Sequence, residues 1–255
     1  WPASAQAPHE PAPTPEPVAH VHQGTLSEQD RDRDAVAERG VLATHAETLG
    51  EGRKGLSVHE GLLAAATLAL SDDVQIGAGG LLPVLKTAPW AAFTQGKLVL
   101  RRSKRSTVAA RATISLLSQR GGGATTGTLG AGLLADLFGR EGRVSLHTGL
   151  SAHTAIGADV SAFLPVSQGA ALILEIGSEV RFSDRASVVV EAWLPAVRSA
   201  SGVQAAPVAL LPYVFRWGGP RIAVDAGFVK GKGELIGDDP FVIGWPYLAL
   251  GARFD

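Results

Sequence analysis

The chain has 255 residues, 23 Lys and Arg against 24 Asp and Glu, a formal net charge of −1 and no cysteine. Near-neutral charge speaks against a nucleic-acid binder, and the missing cysteines exclude a disulfide framework, a thiolate metal site and a cysteine nucleophile. Hydrophobic residues make up 45 % and charged ones only 18 %, yet no apolar run approaches the roughly 18 residues of a membrane helix.

The chain opens at Trp1 and contains no methionine. Ala3-Ser4-Ala5 has the small-x-small pattern of a signal-peptide cleavage site, with Gln6 as first mature residue, and predicts export. Pro8, Pro11, Pro13, Pro15 and Pro17 alternate with Ala, Glu and Thr, which favours an extended polyproline-type linker. Glu28 to Arg39 is charge-dense and predicts at most a short, marginal helix. His20 and His22 could hold a metal weakly, but no third ligand is fixed nearby, and solvated loop histidines are the simpler account. Residues 1–40 therefore read as a signal-peptide remnant and a disordered periplasmic tether, and 41–255 as the folded domain.

After Gly40 the hydrophobic pattern repeats with period 2. Val188, Val190, Ala192 and Leu194 alternate with Ser187, Val189, Glu191 and Trp193. Ile222, Val224, Ala226 and Phe228 oppose Arg221, Ala223, Asp225 and Gly227. Thr107 to Leu117, Ala170 to Phe182, Gly96 to Arg101 and Arg143 to Ser151 behave alike. Helical faces would recur at three and four residues, so these are strands. About twelve are predicted: 41–49, 56–70, 74–83, 95–102, 107–117, 125–138, 143–151, 169–182, 186–195, 206–216, 221–229 and 243–254.

Short turns rich in Asp, Ser and Gly, such as Ser71-Asp72-Asp73 and Ser183-Asp184-Arg185, alternate with longer connections. The longer ones include Gly50–Gly55, Val84–Thr94, Ser118–Ala124 and Ala152–Gln168. No helical crossover separates the strands, so the sheet is antiparallel. A soluble β-sandwich would also alternate. Strands of ten or more residues, and a polar face rich in Gly, Ser, Thr and paired charges, favour instead an up-and-down barrel that crosses a membrane. Aromatics near strand ends (Trp90, Phe93, Phe138, Phe182, Trp193, Trp217, Trp245, Phe254) fit interfacial girdles.

Several short stretches resemble an uncharacterised family of bacterial outer-membrane β-barrels. They are Glu47-Thr48-Leu49-Gly50-Glu51-Gly52, Ala69 to Gly80, Phe182 to Arg185 with Val190 to Leu194, Arg221 to Gly227, and the closing Pro246 to Phe254. The resemblance spans about residues 41–255. It implies a transmembrane barrel in the bacterial outer membrane, with membrane lipids and the barrel-assembly machinery as partners, and brings no catalytic residues. Such chains usually end on an aromatic residue; here Asp255 follows Phe254.

Charges on the polar face belong in a lumen, because Arg or Lys facing lipid at midplane costs about 2–4 kcal/mol. The candidate lining is Lys97, Arg101, Arg111, Arg143, His147, Glu175, Glu179, Arg181, Glu191, Asp225 and Arg253, with His59 and Asp136 beside them. Mixed signs fit either a structural ion-pair network or a narrow passage whose selectivity these residues set. For an enzyme, Ser145 with His147 and Ser57 with His59 are the available hydroxyl–imidazole pairs, each without an orienting acid. Gly127-x-x-Gly130-x-Gly132 is not a dinucleotide spacing. Arg101-Arg102-Ser103-Lys104-Arg105 reads as a turn near anionic headgroups rather than a nucleic-acid site.

The leading expectation is thus a narrow outer-membrane channel for small solutes or ions. A closed structural barrel acting through its loops or tether is the alternative, and a barrel lipid hydrolase or acyltransferase a second one. No cofactor, metal set or nucleic acid is predicted, and the oligomeric state stays open.

Overall fold

The computed structural model describes residues 44–60, 62–81, 90–118, 125–139, 143–156, 170–199, 202–205, 209–232 and 244–255. The expected tether, with His20 and His22, lies outside the described residues. Thirteen strands are found among those described: β1 (Lys54–His59), β2 (Leu63–Ala69), β3 (Val74–Leu81), β4 (Trp90–Arg102), β5 (Ser106–Ser118), β6 (Thr125–Phe138), β7 (Val144–Ile156), β8 (Ala170–Ser183), β9 (Ala186–Ser199), β10 (Gly202–Ala205), β11 (Ala209–Gly218), β12 (Ile222–Lys232) and β13 (Trp245–Phe254).

Every neighbouring pair is antiparallel, β13 closes on β1, and β9 joins β8 to β11. Short β10 lies on β9 just beyond the stretch that β11 occupies, so the two share one position in the wall. The result is a closed, twelve-stave antiparallel β-barrel. Closure removes the unpaired edges that a sheet of this size would otherwise present.

The barrel is apolar outside and polar inside. Leu98, Leu133, Leu150, Phe215, Leu248 and Leu250 are among many large hydrophobic side chains exposed on the outer face. Lys97, Arg111, Asp136, Glu175, Glu191 and Asp225 are all buried on the inner face. This inversion of the usual burial rule fits a solvent that is itself apolar. Strands β4 to β9 run 13 or 14 residues, enough to cross a hydrocarbon core at a tilt. Phe182, Trp217 and Phe254 face outward at the rim of short turns and Trp90 at the opposite rim, where Trp245 is exposed but falls on the inward parity of β13, opposite Val229. Phe93, Phe138 and Trp193, expected in those girdles, fall on the inward-pointing parity of their strands.

The first two predicted strands are corrected. The stretch 56–70 is not one strand but a hairpin, turning at Glu60, which takes φ 52°, with Leu62 N–H donating to the His59 carbonyl at 2.9 Å. The stretch 41–49 was expected in the wall, yet its described residues beyond Thr44 form no strand. Ala46, Glu47, Thr48 and Leu49 are successive and all 2 % exposed or less. A wall strand must leave every second side chain on the outer surface, so a segment buried on every side runs inside the barrel.

Gly50 at φ 93° and Gly52 at φ 76° reverse the chain from this inner segment into β1, a conformation glycine adopts without Cβ strain. Gly50–Gly55, expected as a long outer loop, therefore sits on the short-turn rim beside Asp72. The count of twelve survives because one strand is lost and another divided.

A second local correction is at the end of β4. Val99 pairs with Ala109 but Arg101 with Val108, so Leu100 is an inserted residue. Such a bulge shifts the two-residue register by one. Arg101 consequently turns to the exposed face, and Arg102 opposite Thr107 turns inward.

Candidate functional site

The lumen is built from two sources, the inner faces of the staves and the segment Thr44–Leu49. The segment has few large apolar groups of its own, and its main chain is held by polar side chains of the wall. Lys97 on β4 donates through Nζ to the carbonyl of His45 at 3.0 Å and also to that of Glu47. Asp136 Oδ2 on β6 accepts the N–H of Ala46 at 2.8 Å and of Glu47 at 3.1 Å. Gln75 Oε1 on β3 accepts Leu49 N–H at 2.9 Å. Buried main-chain groups need partners, and without regular structure the segment finds them in the wall.

Its side chains add to the hold. Glu47 pairs with Arg102 at 3.2 Å and accepts the Thr107 hydroxyl, while Arg102 also reaches Asp73 at 2.9 Å. Thr48 donates to the Asp72 carbonyl at 2.5 Å. The contacts climb from Asp72 and Arg102 at the short-turn rim to Gln95, whose Oε1 is 3.4 Å from the Thr44 hydroxyl. Four consecutive staves, β3 to β6, thus grip the segment.

The other side of the lumen carries ion pairs. Arg111 on β5 reaches Glu175 on β8 at 2.5 Å and 3.3 Å, and its guanidinium also meets Ser151 on β7 at 3.3 Å. Because β6 and β7 lie between these staves, the pair crosses the interior. Arg216 on β11 holds Asp225 on β12 in a two-pronged bond of 2.7 Å and 3.0 Å and stands 3.9 Å from Glu179. Arg181 closes this group on Glu179 at 3.1 Å. Near these residues a cavity of about 20 Å³ remains, the room of a single water. Bidentate pairing satisfies both charges at once, which makes such pairs tolerable in a dry interior.

Of the residues expected in the lumen, Lys97, Arg111, His147, Glu175, Glu179, Glu191, Asp225 and Arg253 are buried and inward, as is Asp136. Arg181 and His59 also point inward, less deeply. Arg101 and Arg143 are corrections. Arg101 is carried outward by the bulge, and Arg143 is exposed in the turn before β7 rather than within it. Sequence reading missed Gln75, Arg102, Arg216, His45 and Glu47. Arg216 was legible, since it alternates with Phe215 and Trp217 on a clear outer face; the inner-segment residues were not.

The hydroxyl–imidazole pairs separate. Ser57 lies 3.3 Å from His59 Nε2, and the other ring nitrogen meets Tyr247 Oη at 2.5 Å. Ser145 and His147 share a face, but neither ring nitrogen of His147 has a hydrogen-bond partner among the described residues, so Ser145 and His147 form no nucleophile–base pair. His147 instead faces His45, with ring centroids 3.9 Å apart. One ligand atom each from His45, His147 and Glu191 lie within 4.8 Å of one another, the group among the described residues with donors suited to a metal ion.

No family model and no curated protein matches the chain. Among solved structures it is similar to OpdL of Pseudomonas aeruginosa, at 10 % identity and TM-score 0.39 over 81 % of this chain and 68 % of that one. A variant of OccD1 (OprD) gives 9 %, 0.38, 81 % and 66 %. The outer-membrane protein Omp33 of Acinetobacter baumannii gives 10 %, 0.36, 79 % and 95 %. The chain thus spans about two thirds of the length of the first two.

Proposed function

We propose that the chain is a bacterial outer-membrane channel for small solutes or ions whose lumen is shut by its own segment Thr44–Leu49. The observation that carries this reading is the way the segment is held. Lys97, Asp136 and Gln75 bind its main chain through hydrogen bonds, a contact that water can replace. An apolar plug would be held by burial that water cannot match. When the segment leaves, Lys97 and Asp136 stand bare in the bore, so the groups that close it are also the first that a solute meets. Arg111, Glu175, Glu179, Glu191 and Asp225 extend that charged path and set its selectivity. The short-turn rim faces the periplasm, as in other outer-membrane barrels.

A closed structural barrel is the second reading. It is favoured by the Arg111–Glu175 pair, which bridges the lumen independently of the segment. Planar-bilayer recording separates the two. The material is refolded chain whose heat-dependent gel shift shows a closed barrel, with and without residues 1–49. Discrete steps that appear on truncation and change ion selectivity on Lys97→Gln support the gated channel. A silent bilayer from the folded truncated chain supports the closed barrel.

A further inference from the structure

His147 on β7, Gly177 on β8 and Glu191 on β9 occupy one level of the wall, because Gly177 pairs with both of the others. Gly177 has no side chain to keep its neighbours apart. A Cβ there would lie 2.8 Å from His147 Nε2 and 2.9 Å from Glu191 Cγ, closer than real Cβ contacts come. The imidazole and the carboxyl stem therefore converge over the glycine. His45 completes the group from the inner segment, tilted 31° over the His147 ring. All three are at most 5 % exposed. A buried imidazole whose two nitrogens have no hydrogen-bond partner among the described residues, as at His147, calls for an explanation.

We propose that His45, His147 and Glu191 bind a divalent transition-metal ion, zinc by ligand type, which fastens the inner segment to the barrel wall. Two imidazoles and a carboxylate are a common zinc donor set that leaves a fourth position open. The set has too few oxygens for calcium or magnesium and no thiolate for softer ions. Zinc holds such ligands at about 2.0–2.2 Å, so a tetrahedral site needs donor atoms about 3.3 Å apart. The present spacing, within 4.8 Å, contracts to that by rotating the side chains, which unstacks the two rings.

The site is divided between two parts of the protein. His45 belongs to the segment, while His147 and Glu191 belong to the wall. An ion bound to all three stabilises the closed lumen and not a state from which the segment has left, so zinc shifts the equilibrium toward closure. This consequence rests on the gated-channel reading; the binding of the ion does not.

The test uses full-length, tag-free chain refolded in detergent, stripped with EDTA, and titrated with zinc chloride against a chromophoric chelator. One zinc per chain is expected. His45→Gln, His147→Gln and Glu191→Gln should each weaken binding at least tenfold, while His20→Gln with His22→Gln leaves it unchanged. Residue 45 lies outside the wall, so the His45→Gln barrel should keep its gel shift and serve as the variant free of folding effects. The site is overturned if the folded chain takes up no zinc, or if uptake follows His20 and His22 instead. Bilayer current is read separately on the Asp136→Ala chain, which loses two of the bonds that hold the segment and so conducts part of the time: zinc that binds at this site without reducing that current upholds the site and removes the gating reading.

Discussion

Asp136 is the residue on which the closed state most directly depends. Its Oδ2 accepts two main-chain N–H groups of the inner segment, at 2.8 Å and 3.1 Å, and it is 2 % exposed. Asp136→Ala leaves both donors buried without that partner and removes the negative charge beside Lys97. A hydrogen bond to a charged group contributes about 1.5–3 kcal/mol. Taking the lower value twice gives about 3 kcal/mol, which is about two powers of ten in the ratio of held to released segment.

The absence of cysteine supplies a clean assay. Thr48 is fully buried, so in a Thr48→Cys chain the single thiol reacts only when the segment leaves its place, and the labelling rate follows the released fraction. Adding Asp136→Ala should raise that rate about a hundredfold, and Asp136→Asn, which keeps one neutral acceptor, by less. An increase below threefold, in a chain with an intact gel shift, would refute the hold assigned to this carboxylate.

Three further expectations follow from the wall. Arg111→Ala and Glu175→Ala should each lower unfolding stability by about 3–5 kcal/mol, since each strands a buried charge, with the double variant losing much less than the sum; denaturant titration of the gel shift measures it, and additive losses would deny the pair. Arg102→Ala should speed Thr48→Cys labelling while Arg101→Ala should not, because the bulge turns only the former toward Glu47; equal effects would contradict the bulge. Leu133→Arg, on the outer face at 57 % exposure, should cost about 2–4 kcal/mol of stability in a bilayer if it sits near midplane, and an unchanged folding equilibrium in lipid vesicles would place that face away from the hydrocarbon.

The barrel was legible because strand alternation is a local property. Which face of Ser187 to Leu194 or Ile222 to Val229 turns outward depends only on residues two apart, and the structure agrees with the sequence pattern there. Most of the charged lining was legible for the same reason, since a charge opposite an apolar face has one low-energy direction in a membrane. Where an inserted residue breaks the period, as at Leu100, parity carried Arg101 to the wrong side. A bulge of this kind is fixed by pairing with the next strand, not by the strand's own pattern.

What fills the lumen was decided by tertiary structure alone. His45 to Leu49 runs polar, apolar, polar, polar, apolar, so its own pattern defines no outer face and its place inside the barrel comes from its partners. Its partners lie far along the chain: Asp136 is 90 residues from Ala46 and Lys97 is 52 from His45. The meeting of His45 with His147 and Glu191 likewise exists only once the barrel has closed around the segment. Sequence set the direction in which each wall residue points, because that follows from backbone geometry and solvent. Closure set which of those residues meet, because that depends on how twelve staves share one enclosed space.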